Sequence, residues 1–223
     1  MGTMRWFVNG VIRLGTSMLC RIDKLDLDTV PACGPLIVYT NHIGSLEVPL
    51  LFAHLQPRPV IGMAKAETWD SPFMAWLFNL WGAIPVRRGE VDMEALRKSL
   101  TALGRGDIFG IAPEGTRNRT GRLLRAHPGV VTLALRSGAP LLPMVHWGGE
   151  RFRANLKRLR RTDFRVRVGR PFYLYAGDEK ITRHVRQQMV DEMMYQLALL
   201  LPAEYRGAYS EVERATQKYL RYI

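Results

Sequence analysis

The sequence predicts an α/β fold: a single domain with a largely parallel central sheet flanked by helices, and an amphipathic, membrane-associating helix at the N-terminus. Four short apolar runs, at 36–39, 108–112, 141–147 and 164–168, have the length and β-branched content of buried strands. Helical segments separate these runs, and strands that alternate with helices form mainly parallel sheets. The 223 residues contain no Pro-, Gly- or Ser-rich linker, so one domain can include the whole sheet.

The N-terminal segment is an apolar stretch that basic residues interrupt. Residues 4–20 include Trp6, but Arg5 and Arg13 divide the stretch, and it falls short of the roughly 20 apolar residues that a membrane span requires. This pattern favours a helix in the membrane interface, with tryptophan at headgroup depth and the arginines reaching back to water. A terminal helix docked on the core is the alternative. We divide the chain into an interfacial helix at 1–22 and a main domain at 23–223.

Three further helices are predicted, at 90–103, 128–137 and 181–201. Gly104 and Gly138 follow the first two, and glycine commonly stands just past a helix end. Pro128 stands near the start of the second helix, where its fixed backbone angle is favourable. The third segment repeats apolar residues with helical spacing, which indicates an amphipathic C-terminal helix.

Two short polar segments follow two of the predicted strands. Residues 41–47 contain His42 and Glu47 directly after the run at 36–39, and residues 113–117 read Pro-Glu-Gly-Thr-Arg directly after the run at 108–112. In an open α/β sheet, ligands bind where strands end and loops begin. We therefore expect the two segments to line one shared crevice.

The first of these segments has the residues for general-base catalysis. A hydroxyl is a poor nucleophile until a base takes its proton, and histidine is the side chain whose ordinary pKa lies near neutral pH. A carboxylate behind His42 would fix its tautomer and stabilise the imidazolium. Five residues on a regular helix lie about 140° apart, so His42 meets Glu47 only if Glu47 lies in the first helical turn and His42 in the bend before it. Gly44 permits that bend, Ser45 is a suitable N-cap, and the helix dipole favours an ionised Glu47.

The order of the motifs resembles one enzyme family. The His-x-x-x-x-acid segment at 42–47 and the Glu-Gly-Thr-Arg segment at 114–117 are similar to the signature of the glycerolipid acyltransferases, the lysophosphatidate acyltransferase (PlsC-like) family. Residues 82–89 resemble its arginine-bearing second block, and residues 139–145 resemble its proline-rich fourth block. The resemblance extends from about residue 35 to about 171 and implies a glycerol-3-phosphate acyltransferase-like fold. Glu47 is a departure, because the family usually has aspartate there.

The resemblance also implies an activity. A fatty acyl group would pass from acyl-coenzyme A or acyl carrier protein directly to the hydroxyl of a lysophospholipid, most typically lysophosphatidic acid. No acyl-enzyme, cofactor or metal is needed, and the donor is a substrate. The apolar stretch at 72–81 would line the acyl-chain groove, touch the bilayer or belong to the core.

Each matching position then acquires an implied role. His42 and Glu47 are the catalytic pair. The implied substrate-binding residues are Lys65, Arg87, Glu114, Gly115, Thr116 and Arg117. Within this set, Arg117 and Arg87 would hold the acceptor phosphate, because a guanidinium matches phosphate geometry. Arg88 is an alternative to Arg87, and Lys65 is a further phosphate contact.

The charge of the chain indicates an acidic partner. The net charge is +12, and basic residues are concentrated between 151 and 170. An anionic membrane, acidic carrier protein or coenzyme A, and nucleic acid all match this charge. Nucleic acid is the least supported partner, since no base-reading or stacking motif accompanies the charge. With two cysteines and no evident cleavable signal, we expect a peripheral protein on the cytoplasmic face of the cell membrane.

The sequence leaves two other functions open. The acceptor can be another lysolipid, a glycolipid or an amino-acid lipid in the same crevice. Alternatively, Glu47 marks a lapsed site in a non-catalytic basic protein that binds membrane or nucleic acid. The intact Glu-Gly-Thr-Arg segment argues against a lapsed site.

Overall fold

Parallel strands form the centre of the molecule in a computed structural model, which describes residues 2–44, 46–55, 58–87 and 92–223. The strands in these ranges are β1 Cys20–Asp23, β2 Leu36–Thr40, β3 Val60–Lys65, β4 Ile84–Val86, β5 Ile108–Ile111, β6 Leu141–Trp147, β7 Thr162–Val168, β8 Phe172–Leu174 and β9 Leu220–Tyr222. They form one sheet in the order β1-β7-β6-β2-β5-β3-β4, and β8 pairs with both β6 and β9. Within the described ranges, five strand pairs are parallel and three, each involving β6 or β8, are antiparallel. The predicted α/β class and largely parallel sheet are confirmed.

Helices cover both faces of this sheet. They are α1 Gly2–Leu19, α2 Glu47–His54, α3 Pro72–Trp81, α4 Met93–Gly104, α5 Gly129–Ser137, α6 Phe152–Lys157 and α7 Arg183–Leu200. Side chains alternate along β2, so Ile37 and Tyr39 pack with α4, α5 and α7, while Leu36 and Val38 pack with α2 on the other face. Two apolar cores therefore hold the central strand from opposite sides.

The start of α4 differs from the prediction. The helix begins at Met93, where the Asp92 side chain accepts a hydrogen bond from the backbone of the third helical residue at 2.9 Å. The predicted start, Glu90, lies outside the described residues. Gly104 is the last helical residue and does not end the helix by a left-handed turn; Gly106 takes that conformation, with φ 82°.

The N-terminal helix is present, but several of its polar residues face the domain. Asn9 is buried and accepts a hydrogen bond from the Trp81 indole at 3.0 Å, and the Arg5 guanidinium donates to the Val60 carbonyl at 2.9 Å. The expectation that the arginines reach out to water is wrong for Arg5, and Arg13 is half-buried. The outward face is apolar instead: Met4, Trp6, Phe7, Val11, Leu14 and Met18 are all exposed.

Helix α1 leads directly into the first strand of the sheet. Because β1 begins at Cys20 and pairs with β7, the predicted division between residues 22 and 23 falls inside a strand. Within the described ranges, we find no helix with the length and apolar character needed to cross a membrane.

Parallel register brings the two motif segments to one edge of the sheet. Tyr39 of β2 pairs with Ile111 of β5, so both strands end at the same level. His42 follows β2 by two residues, and Glu114 follows β5 by three. The fold therefore places the two polar segments side by side, as predicted.

A buried carboxylate in α7 fastens the C-terminal strand, which leads to a stability prediction. Glu192 accepts hydrogen bonds from the Thr216 hydroxyl at 2.6 Å and from the backbone N–H groups of Lys218 and Tyr219, both at 2.9 Å. Glu192→Gln replaces one acceptor oxygen by a donor, so we expect the free energy of unfolding to fall by about 1–3 kcal/mol. Urea denaturation measures this, with Glu213→Gln at an exposed site as the control. Equal stability of the two variants would contradict the assignment.

Candidate active site

The His42 and Glu47 side chains meet in the structure. The Nδ1 atom of His42 lies 2.6 Å from Oε1 of Glu47. Glu47 is the first residue of α2, and His42 lies in the bend before it, as the spacing requires. Both Glu47 oxygens also accept from the Gly44 N–H, at 3.0 and 3.1 Å. The predicted N-cap, Ser45, lies outside the described residues.

The surroundings of Glu47 keep it ionised. Burial alone would raise the pKa of this carboxyl, but the hydrogen bond from His42, together with weaker electrostatic and backbone contributions, outweighs burial, and the pKa is lowered to about 2. An ionised carboxylate can only accept hydrogen bonds, so Nδ1 of His42 carries the proton of this pair. Nε2 is then the basic nitrogen, on a side chain that remains 18% exposed and lines a cavity.

The second motif clamps the backbone of His42. One oxygen of Glu114 accepts from the His42 N–H at 2.9 Å, and the other accepts from the Leu124 N–H at 2.8 Å. The His42 carbonyl accepts from the Asn118 N–H at 2.8 Å. Glu114 is buried with both oxygens engaged. Glu114 therefore holds the histidine loop in place, and its implied part in the substrate site stays a prediction.

A pair of residues that sequence reasoning missed lies behind His42. The Asn41 side chain donates to the His146 carbonyl at 2.8 Å and accepts from the His146 N–H at 3.0 Å, and Nε2 of His146 lies 2.8 Å from the Asn41 carbonyl. His146 is fully buried and stacks on Phe164, and burial lowers its pKa, so the ring is neutral. These bonds join the ends of β2 and β6. Asn41 directly precedes His42 and His146 directly follows the fourth block; these places marked each residue as a neighbour of a motif but did not indicate their contact.

An apolar cavity of about 480 Å³ opens beside the histidine. His42, Lys65 and Arg117 belong to its lining and come at or after the C-terminal ends of the parallel strands β2, β3 and β5, so we call this edge its polar end. Most of the other lining residues are apolar. The apolar lining includes Leu51 and Phe52 of α2, Val60 of β3, and Met74, Leu77, Phe78 and Trp81 of α3. Helix α3 also exposes Phe73 and Trp76 on its outer side. The stretch at 72–81 thus combines a cavity wall with an outward apolar surface.

The predicted basic residues lie at neighbouring strand ends. Lys65 and Arg117 line the cavity with His42. Arg87 does not line it, but follows β4, in which Val86 pairs with Lys65. Arg87 is exposed, and its backbone N–H donates to Asp92 at 3.4 Å. Arg88 lies outside the described residues.

The remaining two motif positions lie in the turn before Arg117. Gly115 has φ 68°, and a Cβ there would lie 3.2 Å from the His127 ring, so the turn favours glycine. Thr116 is exposed in the same turn, and neither residue lines the cavity. Across residues 2–44, 46–55, 58–87 and 92–223, no three His, Cys, Asp or Glu side chains form a group that could hold a metal ion.

Comparison with known proteins establishes the family. A family model described as Acyltransferase matches residues 21–147, more than half of the chain, and the chain belongs to that family. A 1-acyl-sn-glycerol-3-phosphate acyltransferase of Borreliella burgdorferi is 29% identical over 127 residues, which are 56% of this chain and 50% of that protein. A lyso-ornithine lipid O-acyltransferase of Pseudomonas aeruginosa is 31% identical over 111 residues, 49% of this chain and 42% of that protein. The chain thus spans half or less of the length of these two relatives.

A solved structure is similar in fold. The 1-acyl-sn-glycerophosphate acyltransferase PlsC of Thermotoga maritima has a TM-score of 0.61, at 20% sequence identity. The match covers 84% of this chain and 77% of that chain. At this identity, the similarity concerns the arrangement of strands and helices.

The pKa of Glu114 leads to a prediction about stability and pH. This pKa is raised from 4.5 to about 7, because the effect of burial outweighs the backbone hydrogen bonds and the electrostatic effect of His42, which lower the pKa. Between pH 4.5 and about 7, Glu114 is protonated in the native state but ionised in the unfolded state. Its contribution to the free energy of unfolding is therefore fully present below pH 4.5 and is lost as the pH rises to about 7. The expected loss is about 3 kcal/mol, and Glu114→Gln should lack it.

Unfolding by urea at several pH values measures this effect as a difference between wild type and variant. The difference is needed because burial also lowers the pKa of His54 and His146, and these histidines change stability with pH in the opposite direction. They cancel when the two proteins are compared. A difference that stays constant across this pH range would refute a buried, titrating Glu114.

Proposed function

We propose that the protein transfers a fatty acyl group from a thioester to the free hydroxyl of a lysophospholipid, with lysophosphatidic acid as acceptor and phosphatidic acid as product. The observation that carries the proposal is the 2.6 Å contact between His42 and Glu47 at the polar end of an apolar cavity. The same end of the cavity contains Lys65 and Arg117. A base, an apolar groove and cations for a phosphate are the parts that this reaction needs.

His42 would act as the general base. Its Nε2 takes the proton of the acceptor hydroxyl as the oxygen attacks the thioester carbonyl, and Glu47 stabilises the resulting imidazolium. The tetrahedral intermediate expels the thiolate, which takes the proton from His42 and leaves as the free thiol. The bond to sulfur is replaced by an ester bond, and His42 returns to its neutral form.

The cavity would separate the two ends of the lipid substrates. Its apolar wall from α2 and α3 suits an acyl chain, because burying apolar surface stabilises the complex by about 25 cal/mol per Å². At the polar end, the guanidinium of Arg117 suits a phosphate, with Lys65 as a second cation. Arg87 at the adjacent strand end would join them when a headgroup bridges the two strands.

The outward apolar face of α1 supports a peripheral position on a membrane. Trp6 is 69% exposed, and the exposed residues of α1 recur with the spacing of one helical face. A helix of this kind lies in the interface with its apolar face in the lipid. We place the protein on the cytoplasmic face of the cell membrane, with acyl-coenzyme A or acyl carrier protein as the donor.

Removing the imidazole tests the proposed base. We expect His42→Ala to lower kcat by about 10²- to 10⁴-fold, the usual contribution of a general base. Thiol release from acyl-coenzyme A and from acyl carrier protein, with and without lysophosphatidic acid, measures it. His184→Ala, an exposed histidine at the start of α7, is the matched control. Acceptor-dependent release by His42→Ala at the wild-type rate would disprove the mechanism.

The Pseudomonas relative supports a second candidate acceptor. It is named as a lyso-ornithine lipid O-acyltransferase, and its 31% identity over 111 residues is close to the 29% over 127 residues of the Borreliella protein. An amino-acid lipid would present its hydroxyl to His42 in the same cavity. Such an acceptor lacks a phosphate, so the cations at the polar end would contribute less to its binding.

Replacing Arg117 distinguishes the two acceptors. A lost charge-assisted hydrogen bond costs about 1.5–3 kcal/mol, so Arg117→Ala should raise the KM for lysophosphatidic acid by about 10- to 100-fold. The matched control is Arg119→Ala, which lies in the same loop outside the cavity lining. Steady-state rates with lysophosphatidic acid and lyso-ornithine lipid give the answer. If Arg117→Ala leaves KM unchanged for the preferred acceptor, the phosphate clamp is wrong.

A further inference from the structure

A turn after α6 exposes a leucine among basic residues. This segment, residues 156–161, reads Leu-Lys-Arg-Leu-Arg-Arg and is called the basic turn below. The Leu159 side chain is 95% exposed, and its backbone has φ 53°. Among the described residues it is the one residue other than glycine with a positive φ. Leucine is disfavoured in that conformation, so this position combines a backbone cost with full exposure of an apolar side chain.

The conformation of the turn comes from the way α6 ends. The Leu159 N–H donates to the Leu156 carbonyl at 3.0 Å, and the Arg160 N–H donates to the Asn155 carbonyl at 2.9 Å. These bonds form a Schellman motif, in which glycine usually occupies the left-handed position. The Asn155 side chain also donates to the Thr162 hydroxyl at 3.1 Å and joins the turn to β7. Glycine would adopt this conformation without strain, so the turn itself does not require Leu159.

The basic turn adjoins the C-terminal end of α1. The Arg161 guanidinium donates to the carbonyls of Ser17 and Cys20, at 2.6 and 2.7 Å. Met18, between them, is exposed and belongs to the outward apolar face of α1. The turn is therefore continuous with the surface that the proposed function places on a membrane.

Strand register also places the turn at the edge of the sheet where His42 lies. Thr40 pairs with Met144 in the parallel pair of β2 and β6, and β6 extends three residues further to Trp147. Trp147 pairs with Arg165 in antiparallel β7, so the start of β7 and the turn before it lie beyond this edge. If the basic turn contacts a membrane, the edge of the sheet where His42 lies faces that membrane.

The charge of this region suits an anionic surface. Residues 151–170 contain nine Lys or Arg residues and one acid, Asp163. Asp163 lies 3.8 Å from Arg21 in an exposed ion pair. Each basic residue near an anionic bilayer contributes on the order of 1 kcal/mol.

We propose that the basic turn is a second membrane contact, in which Leu159 inserts into an anionic bilayer and its basic neighbours bind lipid phosphates. These neighbours are Lys157, Arg158 and Arg160. The inference rests on the proposed function, because α1 supplies the first contact. Two contacts fix the rotation of the domain about the α1 axis, which one helix does not. An acidic carrier protein would match the charges, but the continuity with the apolar face of α1 favours lipid.

Leu159→Gly separates membrane binding from folding. Glycine adopts φ 53° without strain, so the free energy of unfolding should stay the same or rise. The inserted side chain is lost, and we expect the partition coefficient onto phosphatidylcholine vesicles with about one third phosphatidylglycerol to fall about tenfold. Leu25→Gly is the matched control, because Leu25 is 78% exposed just past the opposite end of β1.

The charges are tested by a double variant. Arg158→Gln with Arg160→Gln should lower partitioning onto the anionic vesicles by about tenfold or more and leave partitioning onto pure phosphatidylcholine nearly unchanged. The matched control neutralises Lys180 and Arg183, which are exposed basic residues before and at the start of α7. Equal loss in the double variant and this control would show an effect of net charge alone and overturn a specific contact.

A fluorophore at position 159 tests whether the side chain enters the bilayer and whether the partner is lipid or acyl carrier protein. Leu159→Cys in a Cys33→Ser background accepts an environment-sensitive fluorophore at one exposed thiol, since Cys20 is buried. A blue shift on adding anionic vesicles supports insertion, and no shift overturns it. A shift with acyl carrier protein, and none with vesicles, would assign the turn to the carrier and overturn the proposal.

Activity measurements separate this inference from the proposed function. Leu159→Gly should retain thiol release with detergent-dispersed lysophosphatidic acid and lose about tenfold with the same acceptor in vesicles. Wild-type partitioning by Leu159→Gly would refute the second contact, whatever the activity. A wild-type protein without transferase activity on any acceptor would refute the proposed function, while the vesicle measurements would still decide the contact.

Discussion

The site depends on how the loop after β2 is held. The backbone of His42 is bonded on both sides, by Glu114 of the second motif and by Asn118 directly after that motif, while its side chain bonds to Glu47. The two buried carboxylates have opposite pKa shifts. Burial disfavours the charge on both, but Glu47 has histidine partners and a pKa of about 2, whereas Glu114 accepts only from backbone amides and has a pKa of about 7. One carboxylate thus stays charged beside the imidazole, and the other positions its backbone.

Glutamate in place of aspartate is accommodated by the start of α2. Because Glu47 is the first helical residue, its longer side chain folds back over the bend, where its oxygens meet both the imidazole and the Gly44 N–H. The same helix supplies Leu51 and Phe52 to the cavity wall. The orientation of the histidine and the shape of the apolar groove are therefore coupled through one helix, and a change in the packing of α2 would alter both.

Local sequence patterns predicted the strands but not the hydrogen bonds between residues far apart in the chain. The β-branched runs located β2, β5, β6 and β7, because buried strands are continuous in apolar character. The bond from Glu114 to His42 spans 72 residues, and the bonds from Asn41 to His146 span 105, so no local pattern indicates them. The apolar stretch with interrupting arginines identified α1 but not which face is buried, since polar residues of the helix pack on the domain. On the proposed function, the exposed apolar face of α1 lies against lipid, where the rule that apolar faces turn inward does not apply.

Helix α3 also has an exposed apolar side, and it joins the outer surface of the protein to the cavity. Helix α3 lines the cavity through Met74 and Phe78 and exposes Phe73 and Trp76 on its outer side. On the proposed function, an acyl chain leaves one apolar environment and enters another, so an apolar wall between them avoids exposing the chain to water. The charged headgroup has the opposite requirement, and the cations at the polar end of the cavity meet it. If α1 and the basic turn both contact the bilayer, the acyl chain stays in apolar surroundings and the headgroup stays near the cations throughout transfer.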